Sequence, residues 1–208
     1  MGIDDNNPER NQAPKGESVS SEKLMNDVMN ALMMNATKEA GSEINALGQI
    51  DKMDLPAGWQ AGPDYNSAQH AATYQEYHPN GATDCQIGFY YRGKRTSDFG
   101  GKNFHELLEK APHELSPEEL RAVKETLRDK ADPKDFTLNS ARTEDLNGKR
   151  VLIVEGRYNA IQQDSKHIFL DSDGSGTAVQ EIFFQAPKDK FPQYKKAADE
   201  AIKSIRWK

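Results

Sequence analysis

Four consecutive apolar residues, Val151-Leu152-Ile153-Val154, three of them β-branched, constrain the fold of this chain more than any other stretch. Successive side chains of a strand point to opposite faces, so an unbroken apolar run needs cover on both sides. A run this short also fits a buried helix, and its neighbours decide between the two. From Glu155 the pattern becomes one-sided, with Gly156, Tyr158 and Ala160 on one face and Glu155, Arg157 and Asn159 on the other. The spacing predicts a strand over Arg150–Ile161 and a second over Lys166–Leu170, where Ile168 and Leu170 share a face. A third is expected over Ala178–Gln185, with Ala178, Gln180, Ile182 and Phe184 facing one way and Val179, Glu181 and Phe183 the other. The intervening Ser172-Asp173-Gly174-Ser175-Gly176 is turn chemistry, so the last two strands form an antiparallel hairpin. A closing helix over Phe191–Ile205 carries Phe191, Tyr194, Ala197, Ala198, Ala201, Ile202 and Ile205 as one apolar stripe. Pro192 suits its first turn, and Trp207 is expected to dock beside it.

The strand R-V-L-I-V-E-G-R-Y (150–158), the hairpin ending Q-E-I-F-F (180–184) and the helix closing on S-I-R-W (204–207) resemble the C-terminal half of the PsbP-like superfamily. Leu55-Pro56-Ala57-Gly58-Trp59 is similar to an opening found in some members, so the resemblance covers roughly residues 55–207. It implies an α/β/α sandwich and an action through binding rather than catalysis. It carries over no functional residue, and fold by itself does not imply function.

Upstream, Thr73–Tyr77 and a strand bearing Cys85, Ile87, Phe89 and Tyr91 on its core face are expected to pair across the turn His78-Pro79-Asn80-Gly81. Phe104, Leu107, Leu108 and Ala111 form a helical stripe ended by Pro112. Ser116-Pro117-Glu118-Glu119 opens a second helix as a capping box, with Leu120, Val123 and Leu127 buried. Phe136–Arg142 then pairs antiparallel with the main strand across Leu146-Asn147-Gly148-Lys149. The fold class is α+β: an antiparallel sheet flanked by helices, with a flexible N-terminal arm.

A length of 208 residues suits one domain plus an extension. Residues 1–20 are polar and lack aromatics, so a disordered tail is expected there. Residues 21–52 read as an amphipathic, methionine-rich helix and a linker, and 53–208 as a single domain. The net charge of −6 disfavours a general nucleic-acid binder. No apolar run approaches a membrane span. The opening Met-Gly-Ile-Asp-Asp has no signal-peptide pattern, so a cytoplasmic protein is the default expectation; a trimmed secreted chain would read the same. The single cysteine, Cys85, excludes an intramolecular disulfide and is expected to be a buried, inert thiol.

Three features bear on function. Leu24, Met25, Val28, Met29, Leu32 and Met33 present an adaptable apolar face to a protein partner. Arg92, Lys94, Arg95 and Lys102 form a basic loop beside Tyr90 and Tyr91, suited to a phosphate or an acidic partner; Gly100-Gly101-Lys102 lacks P-loop spacing. Asp171, Asp173 and Ser175 resemble the first half of a calcium loop, but its twelfth position is Ile182, so an ordinary turn is the plainer reading and calcium would bind weakly. His105 and Glu109 lie one helical turn apart without a zinc motif, and His105 is expected to face solvent. No Gly-x-Ser-x-Gly elbow occurs, and His70, His78 and His167 have no partner pattern, so no catalytic residue and no required cofactor are assigned. The leading expectation is a non-catalytic protein-binding module, an adaptor, chaperone or assembly factor. The alternative is a small-molecule or calcium-binding domain using the Arg92–Arg95 loop or the Asp171–Gly176 turn, and the third is an enzyme of another type.

Overall fold

The computed structural model describes residues 42–62 and 74–208. The apolar run that dominates the sequence becomes β7 (Lys149–Tyr158), the strand next to one edge of a seven-stranded antiparallel sheet. The other strands of that sheet are β3 (Trp59–Ala61), β4 (Gln75–Pro79), β5 (Gln86–Arg95), β6 (Phe136–Leu146), β8 (Gln163–Asp171) and β9 (Ala178–Pro187). Their order is β3-β4-β5-β9-β8-β7-β6. The β6–β7 and β8–β9 hairpins form as the sequence predicts. The pairing of β5 with β9, which joins the two halves of the sheet, has no local turn signal.

Cover on both faces is met by two apolar clusters. Val151, Ile153, Ile168, Leu170, Ile182 and Phe184 look one way, toward the helix α4 (Phe191–Lys203) and its buried Ala198, Ala201 and Ile202. Leu152, Val154, Phe169 and Val179 look the other way, toward α1 (Asp98–Glu109), α2 (Pro117–Ala122), α3 (Lys124–Leu127) and a 3-10 turn (Arg128–Ala131). Ser116 and Glu119 make the expected reciprocal capping box. Gly100 and Gly101 serve packing: a Cβ on Gly101 would lie 2.7 Å from Thr177 Cγ2, so the missing side chain lets α1 sit against the turn after β8.

Several expectations are corrected. Residues 43–54, read as the end of a linker, form the hairpin β1 (Glu43–Leu47) and β2 (Ile50–Asp54), which pairs with the terminal β10 (Arg206–Trp207) in a second sheet. Ile44, Leu47, Ile50 and Met53 belong to the main core, and the compact unit runs Glu39–Lys208. The linker reading failed because alternation over strands this short is weak beside a glycine and a run of polar residues. Trp207 docks as expected, its indole N–H donating to the Leu146 carbonyl at 2.7 Å. Cys85 is fully buried but precedes its strand, and burial together with the Asp84 charge pushes its thiol up to about 11.

Candidate functional site

The basic loop is also corrected: Arg92, Lys94 and Arg95 are the end of β5. Tyr90 pairs with Glu181 but Lys94 pairs with Val179, so two extra residues bulge out of β5 around Gly93, whose φ is 78°. Two extra residues preserve the pleat. Lys94 therefore stays on the face of Glu181 and is drawn back beside it, its Nζ 2.9 Å from Glu181 Oε2 and 3.5 Å over the Tyr90 ring. The four cations do not form one patch. Arg95 offers its carbonyl to Arg128, and Lys102 pairs loosely with Glu106 along α1.

Glu181 is the centre of a buried charged cluster. Its Oε1 lies 3.1 Å from Lys130 Nζ and 2.9 Å from His167 Nδ1, and Lys130 also reaches Asp129 at 2.9 Å. His167 Nε2 lies 3.0 Å from Ser165 Oγ. Burial alone would raise the Glu181 pKa; the His167 hydrogen bond and the charges of Lys130 and Lys94 overcome it and hold the carboxyl well below its usual range. Burial opposes the charge on Lys130, yet Glu181, Tyr158 and Asp129 keep its pKa above the ordinary lysine value. Burial pushes His167 down to about 4, so the ring is neutral at pH 7. With Glu181 ionised, Nδ1–H donates to Glu181 and Nε2 accepts from Ser165.

That connectivity is the order of a Ser–His–acid relay. It does not make an active site as it stands. Ser165 and His167 are each 1% exposed, and His167 is walled by Phe136, Tyr158, Phe169 and Phe183 at ring separations of 5.6–6.1 Å. A nucleophile needs room for a carbonyl and for donors to its oxyanion. The sequence carried one sign of the cluster: Glu181 lies on an otherwise apolar face between Val179 and Phe183.

Lys130 joins this cluster to a groove of about 550 Å³ lined by Leu120, Lys124, Leu127, Phe136 and Leu138 among others. The groove is bordered by α2, α3 and the 3-10 turn on one side and by the start of β6 on the other. Phe136 and Leu138 share one side of that strand; Phe136 is fully buried, whereas Leu138 is exposed. The charged lining residues, Arg121, Lys124 and Lys130, are all cations. Of the acids on the same helices, Glu119 is engaged with Lys110 and Ser116 and Glu125 with Ser97, while Glu118 is exposed and does not line the groove. Nearby, Arg128 holds φ 55° and ψ −122°, a conformation strained for any residue but glycine, and the buried Thr126 Oγ1 has no hydrogen-bond partner.

The Asp171 turn is satisfied from within. Asp171 Oδ1 accepts the amides of Asp173 and Gly174, and its Oδ2 meets His105 Nδ1 at 3.0 Å. His105, expected to face solvent, is thus half-buried against that carboxylate, which raises its pKa. Asp173 accepts from Ser175 N and Thr177 Oγ1. Among the described residues no group of three or more His, Cys, Asp or Glu side chains is arranged to hold a metal. Leu24, Met25, Val28, Met29, Leu32 and Met33 lie outside the described residues. No described helix is long and apolar enough to cross a membrane.

No protein-family profile and no curated protein matches the chain. Solved structures do. At the level of fold, the chain resembles PsbP. Cyanobacterial PsbP from Synechocystis sp. PCC 6803 is similar over 81% of this chain and 93% of its own, at 13% identity and a TM-score of 0.47. LpqN of Mycobacterium tuberculosis, described as involved in cell envelope biogenesis, is similar over 81% of this chain and 85% of its own, at 14% identity and a TM-score of 0.42. A protein from Bacteroides thetaiotaomicron VPI-5482 is similar over 81% of this chain at 11% identity and a TM-score of 0.43; the chain spans about half of that protein, 49%. These are likenesses of arrangement, and function rests on the residues.

Proposed function

We propose that this chain is a non-catalytic binding module that takes an acidic, apolar segment of a partner protein in the groove beside β6. The observation that carries this reading is the lining itself. Leu120, Leu127, Phe136 and Leu138 offer apolar surface, and the only charges lining the groove are positive. Arg121 and Lys124 make no ion pair with any described carboxylate, so an incoming Asp or Glu has two cations to meet. The relay-like Ser165–His167–Glu181 set supports the same reading from the other side, since its burial favours holding the sheet and helices together over turnover.

Site-specific photo-crosslinking tests it. A photoreactive residue at Leu138 of the full chain should give a discrete protein adduct in cells, one lost in Arg121→Glu/Lys124→Glu. The same group at Lys196, an exposed position on α4, should not give that adduct. Equal labelling at the two positions would overturn the reading.

A cavity of about 550 Å³ also has the size of a small-ligand site. On this second reading the occupant is a small amphipathic carboxylate. It would raise the melting temperature of the purified chain in a concentration-dependent way with no partner protein present.

A further inference from the structure

We propose that the partner segment binds as an extended strand added to the open edge of β6. This inference rests on the groove reading and specifies its geometry. β6 is the last strand of the large sheet, and residues 113–115 cover only its second half: Leu115 N donates to Ala141 O and Thr143 N to His113 O, each at 2.8 Å. Among the described residues, only the Phe136 amide, which donates to the Asp132 carbonyl, is engaged on the outer side of Phe136–Ser140. The Asp135 carbonyl accepts from Asn159 on the inner side, while the Phe136 amide turns the other way, to Asp132. Alternation from there places the N–H and C=O of Leu138 on the outer side, ahead of the bulge between Leu138 and Ser140.

Exposed edges are ordinarily blunted by charge or proline. Phe136-Thr137-Leu138-Asn139-Ser140 carries neither, and Leu138 is one of three exposed large apolar residues among those described. A strand added about 4.8 Å from β6 would send alternate side chains into the groove beside Phe136 and Leu138. A flanking Asp or Glu would then lie within reach of Arg121 and Lys124. A second copy of this chain is a poorer occupant, because its segment Phe136–Ser140 carries no carboxylate and the flanking Asp135 follows Lys134, which would meet those cations with like charge.

The probe is the peptide acetyl-Asp-Val-Thr-Leu-Thr-Ile-Asp-amide, titrated into the full chain and followed by NMR and amide hydrogen exchange. Lysine-for-aspartate and proline-for-threonine versions, and decanoate, serve as comparisons. The expected result is that the acidic peptide shifts the Leu120 and Leu127 methyls and slows exchange at the Leu138 amide. Arg121→Glu/Lys124→Glu should weaken it about tenfold, the scale of a lost charge pair. Leu138→Pro, which removes the outward donor, should weaken it severalfold more than Leu138→Ala, which removes only the side chain. Groove methyl shifts without protection at Leu138 would overturn strand addition and leave the groove reading standing. Binding by decanoate alone, or by none of the probes, would overturn both. Self-association blocked by Leu138→Pro in the absence of peptide would assign the edge to a second copy and overturn the proposal. Protection is read on the unmodified chain, so the test survives a Leu138→Pro variant that fails to fold.

Discussion

Lys130 Nζ lies 3.1 Å from Glu181 Oε1, with the two side chains 4% and 3% exposed. Removing Lys130 leaves the buried Glu181 carboxylate to Lys94 and a neutral His167, and removing Glu181 leaves the buried Lys130 with Asp129 as its one carboxylate. Lys130→Ala should cost about 3–5 kcal/mol, the usual penalty for breaking a buried pair from one side. The double change Lys130→Met/Glu181→Leu should be less damaging than either single change, because it leaves neither of these charges behind. Urea unfolding of the three variants checks this, and a double variant worse than both singles would contradict it.

Acid should destabilise the fold through His167. Its pKa is depressed from 6.5 to about 4, so between those values the unfolded chain binds a proton that the folded chain refuses. Stability is then fully present above about pH 6.5 and is lost as the pH falls toward 4, by at most roughly 3 kcal/mol. Glu181 adds to the loss at lower pH, since its folded pKa is held below the usual carboxylate value. His105 and His113 are raised and oppose the trend, but both are only half-buried, so solvent screens their effect. Melting temperatures from pH 7 to 4 should fall more steeply for the native chain than for His167→Asn, which keeps a polar side chain and does not titrate there.

The main sheet was legible because its signals are local. Val151–Val154 needs two covers, and the turns before Lys149 and after Asp171 join strands adjacent in sequence. The candidate site was not legible, because it is made by distance. Lys130 meets Glu181 only after β5 pairs with β9 and the 3-10 turn folds over the sheet, and no periodicity encodes that meeting. Lys94 reads as part of a basic loop because single-strand alternation does not reveal the bulge that returns it to the core face.

Arg128 is predicted to be a stabilising position for glycine. Its φ of 55° with ψ of −122° costs on the order of 1–3 kcal/mol for a side-chain-bearing residue. Its side chain returns one exposed hydrogen bond to the Arg95 carbonyl at 3.1 Å, worth about 1 kcal/mol or less. Arg128→Gly should therefore raise the denaturation midpoint or leave it unchanged, whereas Arg128→Ala should lower it by losing the bond and keeping the strain. The reverse order would show that the backbone conformation carries little cost.

The N-terminal boundary of the folded unit gives a sharper test of the architecture than any point substitution. A chain starting at residue 53 loses β1 and most of β2, and with them Ile44, Leu47 and Ile50, each no more than 6% exposed. Fully burying one such side chain is worth roughly 1.5–3 kcal/mol, so their combined loss rivals the whole stability of an ordinary domain, about 5–15 kcal/mol. The partner of β10 disappears at the same time, freeing Trp207 from the edge it pairs with. A chain starting at Glu39 keeps every one of these contacts. It should unfold cooperatively near the melting temperature of the full chain, while the chain starting at residue 53 should show a broad, low transition or none. Equal melting temperatures would mean that the hairpin 43–54 contributes no stability to the core it touches.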